Sequence, residues 1–291
     1  MKKIEIYKVK YILEELEDAI INKKPFSLIR IGDGGIDFLR SVLINNTERL
    51  IIISEKEGIP PTKIYSLFYL FGKYLSQANF IDTPEVYFNN DFWPRFKRPK
   101  ISSTLEDWRN ICTTKMYNSE KFFLMKQWKD IYYNSEINNS RYCNPEFNFL
   151  SLLRGVNEKN LIDIIRKKTV YCITNNEEVK PILQKICNVK IIEIVGWHKN
   201  LYKNNYKSVS KFIKKNASRP DIWLMGAGEW GRVFSGMIKQ HGGRTVDMGS
   251  IFGCWCGRNI PKRLEKFIFK LSETDLEFGL TKEGKKYKTF I

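Results

Sequence analysis

Apolar residues at Val9, Ile12, Leu13, Leu16 and Ile20 recur at steps of three and four, the spacing that keeps side chains on one face of a helix. This spacing predicts an amphipathic helix over residues 6–22 that ends before Pro25. "FSLIRI" follows and reads as a strand, then the glycine turn "GDGG", and then Ile36, Leu39, Val42 and Leu43 return to helical spacing. A second strongly apolar helix is predicted over 61–77, announced by Pro60 and Pro61. Residues 80–150 mix aromatic clusters such as "DFWPRFKRP" with the polar run "NSEINNSRYCNPEFNF", and are expected to form loops and short helices.

From about residue 158 the pattern becomes regular. Helices are predicted at 158–167, 177–187, 205–216 and 229–241, between the strands "TVYCIT", "KIIEIVG", "DIWLMG" and "RTVDMG". Strands that alternate with helices build β-α-β units, so the fold class is α/β with a mostly parallel sheet and helices on both faces. No internal repeat or low-complexity linker divides the chain. It reads as a single domain over 1–291, in which residues 80–150 form a loop-rich and helical insertion.

In an open sheet of this kind, ligands bind beyond the carboxyl ends of the strands. The turns there are "GDGGID" (32–37), "TNNEE" (174–178), "GWHKN" (196–200), "GAGEWG" (226–231) and "DMGS" (247–250). Each alone is also ordinary turn chemistry, but together they suggest one shared cleft. Gly226, Gly228 and Gly231 fit a dinucleotide fingerprint, and Asp247 ends the next strand where a ribose-binding acid is expected. That fingerprint usually opens a nucleotide fold, whereas only 44 residues follow Asp247 here. The turn is therefore read as a helix N-terminus whose amides accept phosphate. In "RIGDGGID", Arg30 suits a phosphate, the glycines admit an anion to the backbone, and Asp33 and Asp37 lie four residues apart, near one helical face.

Composition narrows the partners. Forty-nine Lys and Arg against 32 Asp and Glu leave a formal charge of +17, which favours anionic ligands and surfaces. The bases are scattered, so no arm reads as a specific nucleic-acid tail, while peripheral contact with a membrane stays open. No run reaches the roughly 18 apolar residues of a membrane span, and the chain is expected to be cytoplasmic. None of the six cysteines makes a C-x-x-C pair, so reduced, mostly buried thiols are expected, with "CWC" (254–256) as the exception to watch.

Arg30, Gly32, Asp33 and Gly34 match the R-x-G-D-G-E signature of the bacterial GT-D type glycosyltransferases, which the chain resembles. "LMGAGEWG" and "VDMGS" are similar to that family's later strand ends. The resemblance implies a Rossmann-like fold and hexosyltransferase-like transfer of a sugar from a nucleotide-sugar donor, typically a UDP-sugar. The acceptor would be a glycan or glycoprotein, and a divalent metal such as Mn or Mg would take part. It places Asp33 at the metal and in catalysis, with Arg30, Gly32 and Gly34 around the donor.

Gly35 stands where the pattern has glutamate. Either Asp37 supplies the missing acid, or the enzyme works without a tightly held metal, or the site has kept binding and lost catalysis. Asn175, Gly226, Gly228, Glu229 and Asp247 complete the expected donor site. Asp37, Glu229, Asp247 and His198 are candidate bases for the acceptor hydroxyl, and Trp197 is a candidate stacking residue. Two rival readings are a nicotinamide-dependent oxidoreductase built on "GAGEWG" and a binding protein for nucleic acid or another anionic polymer.

Overall fold

The computed structural model describes residues 6–7, 9–30, 47–60, 63–82, 141–143, 161–195, 200–249, 252, 270–271 and 278–279. The strands are β1 (Ile6–Tyr7), β2 (Phe26–Arg30), β3 (Phe80–Asp82), β4 (Arg141–Cys143), β5 (Thr169–Thr174), β6 (Asn188–Glu193), β7 (Ile222–Gly226) and β8 (Arg244–Asp247). They form one sheet in the order β1-β4-β3-β2-β8-β7-β5-β6, and every pairing in it is parallel. Two further strands, β9 (Lys270–Leu271) and β10 (Phe278–Gly279), pair antiparallel as a separate ribbon. The helices are α1 (Val9–Ile21), α2 (Thr47–Glu57), α3 (Ile64–Ser76), α4 (Leu161–Ile165), α5 (Val179–Gln184), α6 (Lys207–Asn216) and α7 (Glu229–Gln240). The fold is α/β and Rossmann-like, as the alternation of elements predicts.

Side chains of a strand point alternately to its two faces, and the buried residues sort accordingly. Phe26 and Leu28 of β2, Val170 and Cys172 of β5, and Ile222 and Leu224 of β7 join one cluster with α1, α4 and α5. Ile29, Ile173, Trp223 and Met225 from the same strands join a second cluster with α2, α3, α6 and α7. Strands buried on both sides read as continuous apolar runs, which is why "TVYCIT" and "IWLMG" were legible.

Three expectations need correction. The helix predicted from residue 6 begins at Val9, because Ile6 and Tyr7 pair with Tyr142 and Cys143. Residues 80–150 are not only an insertion, since Phe80–Asp82 and Arg141–Cys143 pair with each other inside the main sheet. Helix α2 was not anticipated: "TERLIIISEKE" exposes Ile51 and Ile52, so its apolar run carries no clean one-face pattern. The helix expected at 36–43 and the "CWC" cysteines lie outside the described residues. Cys172 and Cys187 are reduced and buried, and burial pushes the Cys187 thiol up to about 12.

With every pairing parallel, the ends at Arg30, Thr174, Glu193, Gly226 and Asp247 share one edge. Above β5 and β7 the connections part, because β5 leads outward to β6 and β7 leads the other way to β8. Such a divergence is the place where open α/β sheets bind their ligands. At the opposite edge, the buried Arg244 donates to the carbonyls of Ser218, Pro220 and Asp221 and closes that end of the sheet.

Candidate active site

β8 pairs with β2 on one side and β7 on the other, so its last residue, Asp247, lies between two of the motifs. Asp247 is 3% exposed. Its Oδ1 accepts the Gly249 amide at 3.0 Å, which closes an Asx turn, and its Oδ2 accepts the Arg30 amide at 3.4 Å. Gly231, in the first turn of α7, faces this carboxylate: a Cβ there would stand 3.6 Å from both oxygens. The helix therefore brings the positive end of its dipole to the acid.

Burial pushes the Asp247 carboxyl up from its ordinary 3.8, against the pull of Arg232, Arg30 and the amides of Gly249 and Arg30. The carboxylate is the hinge pin of the site: it ties the end of β2 to the turn after β8.

Arg30 is held from both sides. Arg232 Nε donates to its carbonyl at 2.6 Å, while the guanidinium of Arg30 lies over the α-carbon of Gly249, where a Cβ would collide with Nη1. Gly249 also has φ +54, a left-handed conformation that L side chains rarely adopt. Arg232 is itself fixed by an ion pair with Glu229 and by lying 5.3 Å over the Phe71 ring. Two arginines and two carboxylates thus lock the segments 27–30, 228–232 and 247–249 together.

α7 opens at Gly228, with φ 55 and ψ −134, a conformation open to glycine. Its next residue but one, Trp230, is buried and donates its indole N–H to the buried Glu57 at 2.9 Å. Tyr202 and Tyr206, in a π-helical turn that leads into α6, pack against Trp230 at 5.4 and 5.0 Å. The first turn of α7 is therefore gripped by Asp247 on one side and by Glu57 and an aromatic bank on the other.

The structure separates the sequence-predicted residues. Arg30, Gly228, Glu229 and Asp247 converge. Gly226 serves packing: the Phe252 ring fills the space of a Cβ, with Thr174 Oγ1 3.2 Å from it. Asn175 is exposed after β5, and its neighbour Asn176 has a buried Oδ1 without a hydrogen-bond partner. Gly32, Asp33, Gly34, Asp37, Trp197 and His198 lie outside the described residues.

Sequence reasoning missed Arg232 and Glu57, while Gly249 and Asn176 stand within the marked turns "DMGS" and "TNNEE" without having been named singly. An arginine inside an otherwise apolar helix run, "EWGRVFSGMI", is the signal that marks Arg232. A dinucleotide reading asks Asp247 to meet a ribose hydroxyl, and that carboxylate is buried with both oxygens on backbone amides.

No protein-family model matches the chain, and no curated protein matches it. Among solved structures it is similar to one described as "The highly conserved domain of unknown function 1792 has a distinct glycosyltransferase fold", with 15% identity, a TM-score of 0.46, and 97% of this chain and 94% of that chain covered. It is also similar to "A New Glycosyltransferase (DUF1792) from Streptococcus sanguinis", with 12% identity, a TM-score of 0.43, and 98% of this chain and 97% of that chain covered.

Among the described residues no three His, Cys, Asp or Glu side chains cluster as a metal site. The carboxylates at this edge are flanked by Arg30 and Arg232, and Asp247 turns its oxygens to backbone amides. The described residues alone do not make a divalent-metal site, and Asp33, the expected ligand, is not among them.

Proposed function

We propose that the protein is a glycosyltransferase that moves a sugar from a nucleotide-sugar donor, a UDP-sugar, to a glycan or glycoprotein acceptor. The observation that carries this reading is the junction of β2 with β8. Arg30, the first residue of the R-x-G-D-G run, is locked to Asp247 and Gly249 of the D-x-G run, beside the glycine-opened N-terminus of α7. Two motifs 217 residues apart become one wall.

In sugar transfer, the bond from the anomeric carbon to the diphosphate oxygen breaks and its electron pair stays on the diphosphate. The acceptor oxygen bonds to that carbon and gives its proton to a base. The growing charge on the leaving group needs donors that are already in place. Here the Arg30 guanidinium and the first-turn amides of α7 supply them, and Asp247 and Arg232 hold Arg30 in position.

Asp33 orders the donor in this proposal, with Gly32 and Gly34 admitting its phosphates and Asn175 lining the crevice. Of the candidate bases, Glu229 is held by Arg232 and Asp247 is buried, which leaves Asp37 and His198; in this proposal Asp37 takes the proton.

Calorimetric titration with UDP and UDP-sugars, with and without manganese, tests the reading. Saturable binding is expected, and Arg30→Ala should weaken it by about 10- to 100-fold, the size of a lost charged hydrogen bond. If UDP and UDP-sugars give no binding at millimolar concentration, the reading fails.

A further inference from the structure

The segment that carries the π-helical turn and α6 has a second property besides bracing α7. Between Glu193 and Asp221 the chain holds no acidic residue, while Lys203, Lys207, Lys211, Lys214, Lys215 and Arg219 fall within it. All six are exposed. At a helical step of about 100° per residue, Lys207, Lys211, Lys214 and Lys215 occupy one arc of α6, opposite the buried Val209 and Ile213. Among the described residues none of the six has an ion-pair partner. Lys190, exposed on the edge strand β6, extends the row by lying over the Phe212 ring of α6 at 4.9 Å. Like charges at steps of four destabilise a helix, so the row is not there for the helix's own stability.

We propose that this lysine face docks the protein on an anionic membrane surface. The row is straight and lies along a helix that is packed onto the body, so it presents a flat line of charge rather than a protruding element that could enter a groove. The nearby aromatic rings are committed inward. Phe212 packs on Tyr171 and Trp223, and Tyr206 packs on Trp230 and Phe234. Phe212 and Tyr171 do meet the row, but there Lys190 itself lies over the rings, at 4.9 and 5.5 Å, so a lysine takes the place of the base that single-stranded nucleic acid would stack. Lysines on flexible stems that read charge alone suit the headgroups of anionic lipids. Among the described residues no helix is long and apolar enough to cross a membrane, so the contact is peripheral. Its position has a use: the row begins at Lys203, beside the Tyr202 and Tyr206 rings that brace α7.

The test is flotation of the full chain with phosphatidylcholine vesicles, with and without about a third phosphatidylglycerol. The wild type is expected to float with the anionic vesicles alone and to be released by salt. Replacing Lys207, Lys211 and Lys214 together by Gln should lower partitioning on the order of 100-fold, as each lysine near an anionic surface contributes roughly fivefold. Replacing the same three by Arg should preserve it. Replacing Arg166, Lys180 and Lys185 by Gln removes equal charge from the other face of the sheet and should change partitioning less than about threefold. The proposal is overturned if the two Gln variants lose binding equally, if the wild type ignores anionic vesicles, or if a duplex oligonucleotide, but not vesicles, shows the dependence on α6.

Discussion

The two faces of the sheet are packed by different rules. Beneath α1, α4 and α5 the core is mainly aliphatic, with Ile12, Leu16, Leu28, Val170, Ile222, Leu224 and Val246 each fully buried. Beneath α2, α3, α6 and α7 the core holds Trp223, Trp230 and Phe234, and it is threaded by the buried polar groups Asp247, Arg232, Glu57, Ser235 and Thr245. An aliphatic layer tolerates small shifts at modest cost, whereas a buried polar network holds one geometry or leaves a donor or acceptor unpaired. The binding wall is built on the second face, where position matters most.

The sharpest way to break the contrast is Asp247→Ala. It leaves the Arg30 and Gly249 amides without their acceptor and removes the buried charge beside the Arg30 and Arg232 guanidinium groups. Denaturant melting should show a loss of about 3–5 kcal/mol, and calorimetry on the protein still folded should show UDP binding abolished. On the aliphatic face, Leu224→Ala should cost a similar or smaller amount, about 2–5 kcal/mol, yet leave UDP affinity within about twofold once the folded fraction is corrected. If Leu224→Ala costs affinity as Asp247→Ala does, the division of labour between the faces is wrong.

Smaller effects sharpen the comparison. Trp230→Phe keeps an aromatic ring but removes the pyrrole half of the indole with the N–H that Glu57 accepts. About 1–3 kcal/mol should be lost, with the loss greatest near α7 in hydrogen exchange. Lys239, near the end of α7, donates to the Gln77 carbonyl, and burial lowers its ammonium from 10.5 to about 8. The unfolded chain then binds more protons than the native chain between those two values, so stability should rise with pH from about 8 to 10.5. Lys239→Met should flatten that slope in urea midpoints measured across the window.

The parallel sheet was legible because its central strands are buried on both sides, so "TVYCIT" and "IWLMG" stand out as apolar runs between turn residues. β1, β3 and β4 were not, since two or three residues of pairing leave no period to read. In the site, Arg30, Gly228 and Asp247 announced themselves by standing at or just beyond strand ends. Their relation did not, because register between β2 and β8 spans most of the chain. Arg232 hid because a charged residue within a helix usually marks the solvent side, and here it is buried with its partners.

The place of β8 also bears on how the molecule is made. Arg244–Asp247 comes last in the chain among the strands of the main sheet, yet it joins β1-β4-β3-β2 to β7-β5-β6. Until this segment is synthesised, the described strands can form at most two half-sheets, with open edges at β2 and β7. Open edges recruit foreign strands, and pairing across such a span is slow to form. A chain stopped before Arg244 should aggregate rather than fold, and a complete one acquires its binding wall in the same step that closes its sheet.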